Sequence, residues 1–155
     1  AMAAGMSLPF DRIDALRAFL SDRLSADVDR AIASDSLLLD GMIALAAATP
    51  ELLDWIDSAG PYGAGWPEPL FALSDVRVTW SAVAGGAHVR FTVADAAGTS
   101  LRGIAVRAVG TPMGDVLTSG RAAPLHMPVR LKRDTWNGRN GVDLEAVDAA
   151  LAGDR

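Results

Sequence analysis

The chain has 155 residues, half of them apolar, enough to bury a core in one or two small domains. It contains no cysteine, which excludes disulfides and thiolate metal sites, and no apolar run of about 18 residues, the length a membrane-spanning helix needs. The net charge of −5 is unevenly spread: residues 1–75 carry 4 basic and 12 acidic side chains, residues 76–139 carry 9 and 3, and residues 140–155 carry 1 and 4. Only the middle segment therefore suits a polyanion partner. The opening AMAAGMSLPF lacks the charged start and long apolar stretch of a secretion signal, and reads as if the chain began inside a larger one. With the missing cysteines, this fits the cytoplasm and no membrane.

Phe10, Ile13, Leu16, Leu20 and Leu24 recur at steps of three and four, the stripe of an amphipathic helix with Asp11 and Asp14 in its first turns. Asp27 to Ser34 either continues that helix or breaks it. The run from Leu37 to Leu45 reads as a strand, with a bulge at Asp40-Gly41. Thr49-Pro50-Glu51 is a helix start, with a capping hydroxyl, proline at the first turn and an acid next. Leu52, Leu53, Ile56 and Ala59 form its buried stripe, and Gly60-Pro61 ends it. GPYGAGWPEP, residues 60–69, reads as a connector packed by Tyr62 and Trp66.

From Val76 the period changes to two. Val76, Val78 and Trp80 alternate with Arg77 and Thr79; Gly85-Gly86 turns the chain into Val89, Phe91 and Val93, opposed by His88, Arg90 and Thr92. Across that turn Trp80 is expected opposite Phe91, and Val78 opposite Val93. A loop near Ala96 to Thr99 leads to a third strand. There Ile104 and Val106 are expected to meet Phe91 and Val89, leaving Gly103, Ala105 and Arg107 on the outer face. Pro112 to Thr118 is a short helix closed by Gly120. Then comes a hairpin: Leu125, Met127, Val129 and Leu131 share one phase, as do Val142, Leu144 and Ala146, around an Asn137-Gly138 turn. That turn sets Leu131 against Leu144, Val129 against Ala146, Lys132 against Asp143 and Arg130 against Glu145. Three strands, a helix and two strands is the order of an OB-fold, a five-stranded, partly open β-barrel.

A site for bond cleavage is not visible. His88 and His126 lack metal-ligand neighbours at short spacing, and the acids before residue 60 are spread as on a solvated helix face. GPYGAG follows a helix and lacks a following lysine, unlike a phosphate-binding loop. Binding is better supported. OB-folds present oligonucleotides with the face of strands 2–3 and the loops joining strands 1–2 and 4–5. Here that surface holds His88, Arg90 and Arg107, with Arg133, Trp136 and Arg139 at the hairpin tip. Arginines track phosphates and an indole stacks on any base. The bland alternatives are surface charge for Arg90 and Arg107, and for Trp136 a cap over its own strand.

These segments carry a resemblance. GPYGAGWPEP followed by LFAL, then HVRFTVAD, LRGIAVRA and RLKRDTWNGRNGVDL, resembles the C-terminal part of the RecJ single-strand-specific DNA exonucleases. AMAAGMSL looks like the tail of the glycine-glycine-histidine motif of that family's DHHA1 domain. The resemblance implies an α+β chain: a truncated α/β DHHA1 remnant over 1–59, a connector over 60–75, and an OB-fold barrel over 76–150 that binds single-stranded DNA. It implies a parent enzyme that is a 5′-to-3′ exonuclease of DNA repair and recombination, using Mn²⁺ or Mg²⁺ held by a missing N-terminal DHH catalytic domain. The metal-holding DHH motifs are absent from this sequence, so no cofactor is expected in the chain itself and it should not hydrolyse DNA alone. Trp66 stands where the family has asparagine, and Val106 where it has an aromatic, so neither family role carries over. The alternatives are a scaffold or protein-interaction role for the OB-fold, and membership in another DHH phosphodiesterase.

Overall fold

A computed structural model describes residues 5–33, 36–119, 123–134 and 140–153. The chain forms two units, Ala1–Leu37 and Leu38–Arg155. In the first, a 3₁₀ turn over Phe10–Arg12 leads into helix α1, Ile13–Ala33, so the helix continues beyond Asp27. Of its expected apolar stripe, Ile13 and Leu16 are half-buried while Phe10, Leu20 and Leu24 are exposed, as are Phe19 and Val28.

The second unit begins with a short strand β1, Gly41–Met42, shorter than its apolar run suggested. The backbone turns into a 3₁₀ segment at Leu45–Ala47, whose Leu45 is buried. Helix α2, Pro50–Ala59, forms as its capping signals indicate, with the Thr49 hydroxyl accepting from the Leu52 amide at 3.3 Å. Glu51, in that first turn, has its carboxyl pKa lowered chiefly by a hydrogen bond from its own amide, helped by the Thr49 side chain. The connector is held by the Tyr62 hydroxyl, which donates to the Ile56 carbonyl at 2.6 Å, whereas Trp66 is exposed rather than packed.

Strands β2 (Phe71–Ala84), β3 (His88–Ala94) and β4 (Ser100–Ala105) follow, then helix α3 (Pro112–Thr118) and strands β5 (Leu125–Asp134), β6 (Gly141–Ala146) and β7 (Ala150–Leu151). Among the described residues the sheet has seven strands in the order β1-β2-β3-β4-β6-β5-β7, and β2 also pairs with β5. Five strands thus close a ring, with β4 and β6 parallel and the other ring neighbours antiparallel. The molecule is a mixed α+β fold. Inside the ring lie Leu73, Val76, Val89, Phe91, Val93, Ala105, Met127, Val129 and Leu144, joined by Leu53 from α2 and Leu117 from α3.

The β5–β6 register is the one the hairpin signal dictates: Leu131 opposes Leu144, Val129 opposes Ala146, Lys132 opposes Asp143 and Arg130 opposes Glu145. The Asn137-Gly138 turn itself lies outside the described residues. Two other registers correct the sequence reading. Between β2 and β3, Val78 does oppose Val93, but a bulge beyond it puts Trp80 opposite Thr92 and Ser81 opposite Phe91. Between β3 and β4, Phe91 opposes Gly103 and Val89 opposes Ala105, one residue away from the expected pairing.

Sterics explain the second correction. A Cβ on Gly103 would lie 2.4 Å from the Phe91 ring and 2.6 Å from the Leu144 carbonyl oxygen, so only glycine lets β3, β4 and β6 close over that ring. Since strand side chains alternate, this one-residue slip exchanges the faces of β4. Gly103 and Ala105 point inward, Arg102 and Ile104 outward, and Val106 is exposed beyond the strand end.

Candidate nucleic-acid interface

The register defines what the outside of the ring presents. One row runs across all five strands: Ala82 on β2, Arg90 on β3, Ile104 on β4, Glu145 on β6 and Arg130 on β5. The neighbouring row begins Trp80, Thr92, Arg102. Within these rows the charges are not equivalent.

On the β5–β6 side both outward cations among the described residues, Arg130 and Lys132, have an acid. The Arg130 guanidinium lies 3.8 Å from Glu145, and the Lys132 ammonium bonds Glu68 and lies 4.0 Å from Glu145. Arg102 reaches over from β4 to the buried Asp134 carboxylate at 2.6 Å and to Asp143 at 3.5 Å. On the β2–β3 side, Arg90 is exposed and has no acid within 4 Å among the described residues. Its nearest acid in the row, Glu145, is two strands away behind Ile104, or about 10 Å at ordinary strand spacing.

Beside Arg90, diagonally across the β2–β3 ladder, stands Trp80. The bulge turns this indole out of the core phase, and it is 53 % exposed. The Thr79 hydroxyl donates to the Thr92 carbonyl at 3.2 Å, fastening the bulge to β3. Small neighbours, Ala82 and Thr92, leave the ring open. An exposed aromatic next to an unpaired cation is the pair of functions a single-stranded polynucleotide requires.

The remaining expected residues separate into three groups. His88 lies two residues from Arg90 on the same side of β3, and its Nδ1 accepts the Arg107 amide at 3.0 Å, so these three residues are brought together. Arg107 is exposed with no acid within 4 Å among the described residues. Arg133 is elsewhere: it occupies the opposite phase of β5 from Arg130 and Lys132, and its guanidinium donates to Asp54 and Asp57 of α2 at 2.8 Å each. Hydrogen bonds to Asp57 and then Asp54 raise its pKa further above the usual arginine value. Arg133 ties helix to sheet. Trp136 and Arg139 lie outside the described residues.

Two residues escape the sequence reading. Alternation through Val76 and Val78 points Trp80 into the core, and a bulge leaves no local signature to correct it. Arg102 is hidden because the expected register turns it inward; the Phe-opposite-glycine packing was the available signal.

The model of the RecJ OB domain family matches residues 39–148, and the chain belongs to that family. It is 29 % identical over 101 residues to the single-stranded-DNA-specific exonuclease RecJ of Escherichia coli K12, covering 65 % of this chain and 17 % of that protein. The crystal structures of Thermus thermophilus RecJ with Mn²⁺ and with Mg²⁺ share its fold at TM-scores of 0.53 and 0.52 and 21 % identity. They cover 87 % and 86 % of this chain and 20 % of their own length. The chain thus spans about a fifth of the RecJ proteins it matches. Among the described residues no group of three or more His, Cys, Asp or Glu is placed to hold a metal ion. Nor, among them, is any helix long and apolar enough to cross a membrane.

Proposed function

We propose that this chain binds single-stranded DNA as the OB-fold barrel of a RecJ-like 5′-to-3′ exonuclease of DNA repair and recombination, working in the cytoplasm. The observation that carries this reading is the outward pair of Arg90 and Trp80, a cation with no acid within 4 Å among the described residues beside an uncovered indole. Arg90 and Arg107 line the polymer's path beside His88, and Trp80 supports a base; Trp136 and Arg139, expected from the sequence to extend that path, lie outside the described residues. Arg133 does not take part, being occupied by α2.

The leading unit is, in this reading, the end of a DHHA1 domain, and its exposed Phe10, Phe19, Leu20, Leu24 and Val28 are covered by the rest of a longer protein. Hydrolysis and the Mn²⁺ or Mg²⁺ it uses belong to the DHH catalytic domain of that protein, and this chain supplies grip. The test is a titration of fluorescein-labelled oligothymidylate with the full chain, with heparin as competitor. Binding that heparin displaces only at a large charge excess, and that weakens in both Trp80→Ala and Arg90→Glu, supports the reading. Equal preference for heparin, or wild-type affinity in both variants, contradicts it and favours a protein-contact role.

A further inference from the structure

We infer that His88 is a positioning residue that holds the turn carrying Arg107, rather than a contact to the polymer in its own right; the inference rests on the nucleic-acid reading above. The β3–β4 ladder ends at the Val89–Ala105 pair, and the chain then leaves the sheet. Arg107 sits there at a φ of 54°, in the left-handed region, where a residue with a Cβ is strained by roughly 1–2 kcal/mol. Glycine would adopt this conformation freely, so the position keeps an arginine side chain against a local cost.

Such a conformation persists where its neighbours over-determine it. Ala108 is buried, and its carbonyl accepts from the Thr111 amide at 3.1 Å and hydroxyl at 2.8 Å, at the start of α3. The Val109 amide donates to the Ala87 carbonyl at 3.1 Å. The Arg107 amide, beyond the last ladder pair, has His88 Nδ1 as its acceptor. The imidazole therefore satisfies the Arg107 backbone donor, and it sits two residues from Arg90 on the same side of β3. Nδ1 is committed to the backbone. What the turn displays is the exposed Arg107 guanidinium, which has no acid within 4 Å among the described residues.

Asparagine places an oxygen acceptor near the Nδ1 position, whereas alanine leaves none, so the two variants separate holding the turn from touching the polymer. In the full chain, His88→Ala is expected to speed hydrogen exchange at the Arg107 amide by about tenfold, the equivalent of one ordinary hydrogen bond, and His88→Asn to leave it near the wild-type rate. Oligothymidylate affinity should fall in His88→Ala and in Arg107→Ala, while the double variant binds no more weakly than Arg107→Ala alone. His88→Asn should keep the wild-type salt slope. An unchanged Arg107 amide in His88→Ala overturns the inference. So does a His88→Asn variant that loses affinity while its Arg107 amide stays protected, since His88 then meets the polymer itself. If the amide responds as expected but none of these variants changes oligothymidylate binding, the anchoring of the turn stands and it is the nucleic-acid reading that fails.

Discussion

The outward surfaces of β5–β6 and of β2–β3 carry cations in the same ladder rows, yet they differ in what those cations can do. Arg130 and Lys132 share Glu145, and Lys132 also bonds Glu68. Arg90 has only Ala82 and Ile104 beside it in its row. A paired arginine must surrender one partner to take another, and exposed pairs are weak, so its net contribution to a phosphate contact is small. An unpaired one releases a counterion from the polymer at full effect. Availability, rather than the number of basic residues, distinguishes the two sides.

The difference can be broken at its root. Gly103→Val would force the Phe91 ring or the β6 backbone to move, and is expected to lower stability by about 3 kcal/mol, the upper end for overpacked cores, read as a lower midpoint in urea unfolding. Next comes the aromatic: Trp80→Ala should weaken oligothymidylate binding by about 1–3 kcal/mol with little change in salt dependence, measured by anisotropy titration at several salt concentrations. In the opposite direction, Glu145→Gln removes the acid shared by Arg130 and Lys132. It should tighten binding by about 0.5 kcal/mol, as the paired side gains free charge. The smallest effect lies outside both sides. The lowered pKa of Glu51 means that its stabilisation of α2 is full above the unfolded-state value and disappears as pH falls through the folded-state value. Wild type and Glu51→Gln should therefore melt at different temperatures near neutrality and converge in acid, with DNA affinity at neutral pH unchanged.

Legibility from the sequence followed the strength of local signals. Thr49-Pro50 and Gly60-Pro61 bounded α2, and Thr111-Pro112 starts α3, because caps and prolines act within one turn. The β5–β6 register was readable since both strands alternate strictly, so that only one phase brings their apolar sets to the same face. The β3–β4 register was not. Its five-residue loop is closed by Asp95, whose carboxylate accepts from Ala97 and Thr99, and its length decides which face of β4 is buried. Small Gly103 and Ala105 looked external, and only the bulk of Phe91 across the ladder brings them in. The Thr79 bulge and the two-residue β7 depend on tertiary pairing alone. The candidate site was thus half visible: His88 and Arg90 follow from alternation, whereas Trp80 and the pairing of Arg102 emerge only from the closed ring. Arg107, expected in the phase of Gly103 and Ala105 that turns inward, is exposed because it lies in the turn past the end of β4.

The contrast between the two sides is tested most directly by the salt dependence of oligothymidylate binding in Arg90→Ala and Arg130→Ala. A phosphate contact to a single strand contributes about 0.7 to the slope of log K against log salt. Arg90→Ala should lower the slope by about that much while Arg130→Ala leaves it at the wild-type value; equal losses in the two variants would contradict the claim that pairing sets which arginines are free to bind.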